Sequence, residues 1–119
     1  MKEICPDSKP LYPANLPNYK LIFVGWSRKL QGGVASIQRS QGSKVPGAVY
    51  EISESDLRHL NVNEGYPHDF SHLKVIVFDE DGNPIEATTY IKNSREEESK
   101  PSREYASAIY QGYKDWGLV

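Results

Sequence analysis

Residues 53–70 read SESDLRHLNVNEGYPHDF. Ser53 has the side chain of a helix N-cap, and Asp56 stands three residues on, a weaker form of the capping box. Gly65 is the residue type that ends a helix in a left-handed turn. The stretch therefore predicts a helix over 53–64 and a break at Gly65, Pro67 and Asp69. Apolar runs of strand length lie on both sides of it. A helix set between two groups of strands makes the chain an α+β domain.

Three of those runs precede the helix: YKLIFVG (19–25), GGVASIQ (32–38) and KVPGAVYEI (44–52). Pro46 and Gly47 inside the third predict a bulge or an edge position. FSHLKVIVFD (70–79) and IEATTYIK (85–92) follow the helix and flank DEDGNP (79–84), whose Asp81-Gly82 pair predicts a hairpin turn. Residues 1–18 are rich in proline and polar groups and show little periodicity. NSREEESK (93–100) has no apolar residue and reads as an exposed, mobile loop. SREYASAIYQGYKDWG (102–117) is the second helix. Pro101 and Ser102 open it, Gly117 closes it, and Tyr105, Ile109, Gly112 and Trp116 share one face. Five strands and two helices, without an internal repeat or a linker, give a single domain over 1–119.

The chain has 119 residues, 38% hydrophobic and 25% charged, with a net charge of -2. That length suits one core, and the charge offers no basic field for nucleic acid or anionic lipid. No apolar run reaches the length of a membrane span, and the N-terminus lacks the apolar core of a signal peptide. The single cysteine, Cys5, has no internal disulfide partner. These features together predict a cytoplasmic protein with no membrane and no nucleic-acid partner.

Leu57, Leu60 and Glu64 fall at i, i+3 and i+7 of the first helix and share a face. Arg58 and His59 flank the leucines on the polar side, so Leu57 and Leu60 form the buried stripe and Glu64 extends it to the helix end. Partial desolvation there raises a carboxylate pKa. The negative end of the helix dipole acts in the same direction. A carboxylate tuned this way serves as a general base near neutral pH. A frayed helix end with Glu64 turned to water is the plainer reading, and spacing alone favours it. Among the other candidates, His59, His68 and His72 are irregularly spaced and read as surface or loop residues, with no metal site. Ser27, Ser36 and Ser43 lack a nucleophile elbow, and QGG (31–33) is not a phosphate loop. Tyr105, on the inner face of the second helix, is a packing residue unless it opens onto a cleft, where it becomes a ligand contact.

Several motifs, taken in order, carry a likeness. LPNYKLIFVGWS (16–27), GGVASI (32–37) and GSKVPGAVYEIS (42–53) come first. LNVNEGYP (60–67), the strands KVIVF and ATTYI, and PSREYASAIYQGYKDWGL (101–118) follow. Together they resemble the γ-glutamylcyclotransferase family, whose fold is shared by γ-glutamylamine cyclotransferases and AIG2-like proteins. The resemblance implies a small mixed-strand β-barrel with two flanking helices around one cavity. It implies a transferase or lyase reaction, an acyl transfer within the substrate. The α-amine of a γ-glutamyl dipeptide or amide attacks its own γ-carbonyl and releases 5-oxoproline. The family's acid/base glutamate corresponds to Glu64, which reverses the balance left by spacing alone. The resemblance also makes Tyr105, Phe70, Gly32 and Gly33 substrate contacts. Phe70 stands where the family usually has tyrosine and so lacks that hydroxyl. The chemistry calls for no metal and no cofactor.

One departure is larger. Family members open with a strand ending in Tyr-Gly-Ser-Asn, whose backbone amides hold the substrate's α-carboxylate, and that tetrapeptide is not in this sequence. The comparison implies that the first strand is missing. The unpaired backbone groups this leaves on the sheet edge are costly, which predicts a homodimer through that edge ahead of an exchanged segment or a fold-back of the N-terminal residues. It also sets out an alternative function: an inactive domain of the same fold that binds a small ligand or a protein partner.

Overall fold

The computed structural model describes residues 4–93 and 97–118. Along the chain run β1 (Lys9–Ser27), β2 (Gly32–Glu51), α1 (Glu54–Glu64), β3 (Phe70–Phe78), β4 (Pro84–Lys92) and α2 (Arg103–Asp115). The strands form one sheet in the order β2-β1-β3-β4, and every ladder is antiparallel. The α+β class stands, with two corrections. No strand pair is parallel, and the sheet does not close into a barrel among the described residues. β4 and β2 form no ladder among the described residues, though the Lys92 N–H donates to Ser36 Oγ at 3.1 Å. β1 meets β3 in a ladder of one pair, Asn15 with Phe78.

Four strands replace the expected five because the break expected between residues 38 and 44 is not a break. β2 runs unbroken through Gly42, Pro46 and Gly47. Its irregularity falls where Pro17 pairs with Lys44 and Tyr19 pairs with Arg39, so residues 40–43 loop out opposite Asn18 alone. Asn18 adopts φ 64° and its Oδ1 accepts the Gly42 N–H at 3.2 Å, which ties the bulge together. Pro46 is compatible with the ladder because β2 is an edge strand. β1 likewise begins at Lys9 and takes in Pro10, Pro13 and Pro17. A proline cannot donate to a ladder. These positions are tolerated because β1 pairs continuously on its β2 side only.

α1 is bounded as its sequence requires. Ser53 Oγ accepts the Asp56 N–H, and the Asp56 carboxylate accepts the Ser53 N–H. Asp56 is fully buried. It also accepts the Asp7 N–H at 3.4 Å, and the Cys5 thiol donates to its carbonyl at 3.6 Å. The turn at residues 5–8 thus anchors the start of the helix. At the other end Gly65 takes φ 69°, ψ 35°, and its N–H donates back to Asn61 and Val62.

The segment read as a mobile loop is partly a structural tie. Residues 94–96 lie outside the described ones. Beyond them, the Gly25 N–H donates to Glu97 O at 3.0 Å, the Ser99 N–H to Phe23 O at 2.8 Å, and the Gly33 N–H to Lys100 O at 2.9 Å. Residues 97–100 are therefore strapped across β1 and the start of β2, and they deliver the chain into α2. α2 presents Tyr105, Ile109, Gly112, Tyr113 and Trp116 as its half-buried face. Tyr105 packs edge-on against Phe23 at 6.1 Å and Trp116 against Tyr50 at 5.8 Å. No described helix is long and apolar enough to cross a membrane.

The strap needs glycine beneath it. A Cβ on Gly33 would lie 2.3 Å from Ser99 O, and one on Gly32 would lie 2.6 Å from Ser102 N. Both obstacles are backbone. A Cβ on Gly47 would meet nothing within 4 Å. Gly33→Ala should therefore destabilise the fold by about 1–3 kcal/mol, while Gly47→Ala should be close to neutral. Thermal unfolding of the two variants followed by circular dichroism checks this, and equal melting temperatures would refute the strap.

Candidate functional site

Glu64 is the last residue of α1, and the left-handed Gly65 stops the helix immediately after it. Its side chain lines two cavities. The first, of about 730 Å³, lies between the sheet and α1 and has mainly apolar walls, among them Leu16, Ile37, Leu57, Leu60 and Val75. The second, of about 810 Å³, is more polar and includes Trp26, Lys29, Ala35, Phe70 and Tyr105. Glu64, Thr89 and Tyr90 belong to both. Each volume suits a small molecule, for which sites run to roughly 300–1,000 Å³. Glu64 therefore stands on the wall between an apolar chamber and a polar one, facing β4.

Burial raises the pKa of Glu64 by penalising its charged form. A hydrogen bond from the Asn63 side chain and the charge of Lys29 pull it back down, and burial outweighs them. The carboxyl is thus easier to protonate than a surface glutamate.

Tyr105 lies in the second cavity with Glu64. Its hydroxyl oxygen accepts the Ala35 N–H at 3.2 Å, so its own proton is left to be donated to something else. Burial raises its pKa, the Ala35 hydrogen bond lowers it, and the negative charge of Glu64 raises it again.

The structure brings Glu64, Tyr105 and Phe70 together around the second cavity. Phe70 is buried, and the Lys92 ammonium sits over its ring at 5.3 Å. Gly32 and Gly33 line neither cavity. They are buried beneath residues 99–102 and bear on the site through the strap that leads into α2. Asn61 and Tyr90 were not singled out by the sequence, and His72 was weighed there only as a surface or loop residue. Asn61 Oδ1 lies 2.8 Å from His72 Nε2 and 2.5 Å from the Tyr90 hydroxyl. The helical spacing of Asn61 and Glu64, at i and i+3, was the one available signal. His72 is half-buried in β3 rather than a loop residue. Among the described residues no group of three or more His, Cys, Asp or Glu side chains is placed to hold a metal ion.

Comparison with known proteins points in one direction. The family model described as gamma-glutamyl cyclotransferase, AIG2-like, matches residues 1–115. The human gamma-glutamylcyclotransferase is 31% identical over 110 residues, covering 88% of this chain and 58% of the relative. The mouse gamma-glutamylcyclotransferase is 29% identical with the same coverage. The chain thus spans a little under three fifths of the length of these relatives. A solved gamma-glutamyl cyclotransferase structure superposes with a TM-score of 0.92 at 28% identity, covering 98% of this chain and 72% of that one. An Arabidopsis thaliana solution structure, at 18% identity and a TM-score of 0.58, shares the fold.

The raised pKa of Glu64 has a consequence for stability. Between the unfolded and the folded pKa the native state binds more protons than the unfolded chain. Stability is therefore full below the unfolded value and falls as pH rises through the folded one. Glu64→Gln should remove that fall and leave the protein at least as stable as the parent at neutral pH. Melting temperatures of both proteins across the interval test this. A parallel pH dependence in the two would show that Glu64 is not desolvated.

Proposed function

The chain belongs to the gamma-glutamyl cyclotransferase, AIG2-like family, and on that premise we propose that it releases 5-oxoproline from γ-glutamyl amides or dipeptides, with Glu64 as general acid and base. The observation that carries this reading is the position of Glu64. A carboxyl made easier to protonate by burial lines two ligand-sized cavities and shares one of them with Tyr105.

The reaction is a ring closure within one molecule. The Glu64 carboxylate takes a proton from the substrate's α-ammonium. The freed amine nitrogen attacks the γ-carbonyl carbon, a new C–N bond closes a five-membered ring, and the carbonyl oxygen takes up negative charge. The ring nitrogen then sheds its second proton to solvent, and the original C–N bond breaks as Glu64 returns the first proton to the departing nitrogen. The oxygen regains its double bond. The products are 5-oxoproline and a free amine, with no net change in redox state. Nucleophile and electrophile are tethered, so the substrate itself supplies proximity. The protein supplies proton transfer and stabilisation of the developing oxyanion. The uncommitted proton of Tyr105 suits the second task. Lys29, in the same cavity, supplies positive charge toward the α-carboxylate. This reading goes with a small-molecule substrate and a cytoplasmic setting.

The test is release of 5-oxoproline from a γ-glutamyl dipeptide and from a γ-glutamylamine. The parent chain should turn over at least one of them. Glu64→Gln should lose about 10²–10⁴-fold in kcat with the fold intact by circular dichroism. Full turnover in that variant would remove Glu64 from the mechanism.

A further inference from the structure

Asn61 stands one turn before Glu64 on α1, and its amide oxygen receives two contacts, the Tyr90 hydroxyl at 2.5 Å and His72 Nε2 at 2.8 Å. An amide oxygen only accepts hydrogen bonds, so with the amide in this orientation both partners donate. The single proton of Tyr90 is therefore committed to Asn61, and His72 carries its proton on Nε2. The imidazole is held from two sides. The ring of Tyr66 stacks on it at 4.0 Å with planes 8° apart, and the ring of Tyr90 meets it edge-on at 5.0 Å and 71°. Tyr66 is the residue directly after Gly65, so the turn that ends the helix also places the stacking ring.

Tyr90 is one of three residues shared by both cavities, beside Glu64. Burial raises its pKa and the Glu64 charge raises it further, which agrees with a neutral phenol near the carboxylate. Its situation is the reverse of Tyr105. The Tyr105 oxygen accepts from the backbone and keeps its proton free. The Tyr90 proton is taken and its oxygen lone pairs remain. Two tyrosines around one carboxylate are thus set to opposite hydrogen-bonding roles by their fixed partners.

We propose that Asn61 and His72 are positioning residues that hold Tyr90 as an acceptor, and that the Tyr90 oxygen receives an N–H of the substrate's α-ammonium while Glu64 takes another. This rests on the cyclotransferase reading. An α-ammonium has three N–H groups. With one directed at Glu64 and one at Tyr90, the nitrogen is held at two points as the proton leaves. The lone pair uncovered by proton loss is then directed by the groups that remain bound. A Tyr90 free to rotate its hydroxyl would offer its own proton to Glu64 and compete with the substrate.

A double-mutant cycle tests the arrangement. Tyr90→Phe and Asn61→Leu should each lower kcat for 5-oxoproline release by about tenfold, the scale of one hydrogen bond. The double variant should lose no more than Tyr90→Phe alone. Additive losses would overturn the proposal. His72→Phe keeps a ring against Tyr66 and removes the N–H donor. It should also be non-additive with Tyr90→Phe, and independence would remove His72 from the set. A second readout needs no turnover: titration of the Tyr90 phenol by ¹³Cζ NMR. Asn61→Leu should lower the Tyr90 midpoint, because the neutral phenol loses its acceptor, and leave Tyr105 where it was. An unchanged Tyr90 midpoint overturns the arrangement even if the chain releases no 5-oxoproline. Absence of turnover with a shifted midpoint would instead count against the cyclotransferase reading alone.

Discussion

The left-handed turn at Gly65 is the constraint on which the site depends. Its φ of 69° is a conformation that costs a residue with a Cβ about 1–2 kcal/mol. A Cβ there would also lie 2.5 Å from Asp69 Oδ2, in a turn closed by the Asp69 N–H donating to Gly65 O at 2.7 Å. The turn ends α1 one residue after Glu64 and leaves that carboxylate at the tip of the Leu57–Leu60 stripe, facing the cavities. It also swings Tyr66 out of the helix and onto His72. A helix running one turn further would carry Tyr66 along the helix axis and away from that ring, and Asn61 would lose the neighbour that steadies its partner.

A partly buried carboxylate is a burden on stability, and the rest of the domain is arranged to hold it in place. The start of α1 is pinned by Asp56, buried and bonded to the cap and to the turn at residues 5–8. The end is pinned by Gly65. With both ends fixed, the helix cannot rotate Glu64 into water without breaking one set of bonds. The other wall of the site depends on Gly32 and Gly33. Their missing side chains let residues 99–102 cross the sheet closely enough for α2 to bring Tyr105 over Phe23 and within reach of the Ala35 N–H. The two glycines thus shape the cavity wall at a distance, by setting where a helix begins.

Local signals were legible in the sequence and non-local ones were not. Ser53, Asp56 and Gly65 act on their own helix within a few residues, so the bounds of α1 could be read directly. The β3–β4 hairpin could be read for the same reason, from Asp79 to Asn83 in the turn and alternation on either side. The prolines of residues 9–18 hid the start of β1, because a proline's fitness for a strand depends on whether its missing N–H had a partner. That is a property of the neighbouring strand. The polar run ending at Lys100 read as a loop because its pairing with β1 uses backbone atoms alone. At the site, helical spacing put Glu64 at the end of the buried stripe but favoured a carboxylate turned to water, and the family resemblance reversed that balance. The cluster of Asn61, His72 and Tyr90 could not be found, because it joins a helix to two strands and leaves no periodic trace. The barrel implied by the family resemblance is replaced here by an open antiparallel sheet.

The fold holds Glu64 as a partly desolvated carboxylate. Titration of its side-chain carboxyl carbon by NMR, assigned by loss of the resonance in Glu64→Gln, measures this without reference to any substrate. A midpoint above the ordinary glutamate value of about 4.3, in a protein that stays folded through the transition, is the predicted result. A midpoint at or below that value would mean that Glu64 lies in water, and would contradict the account.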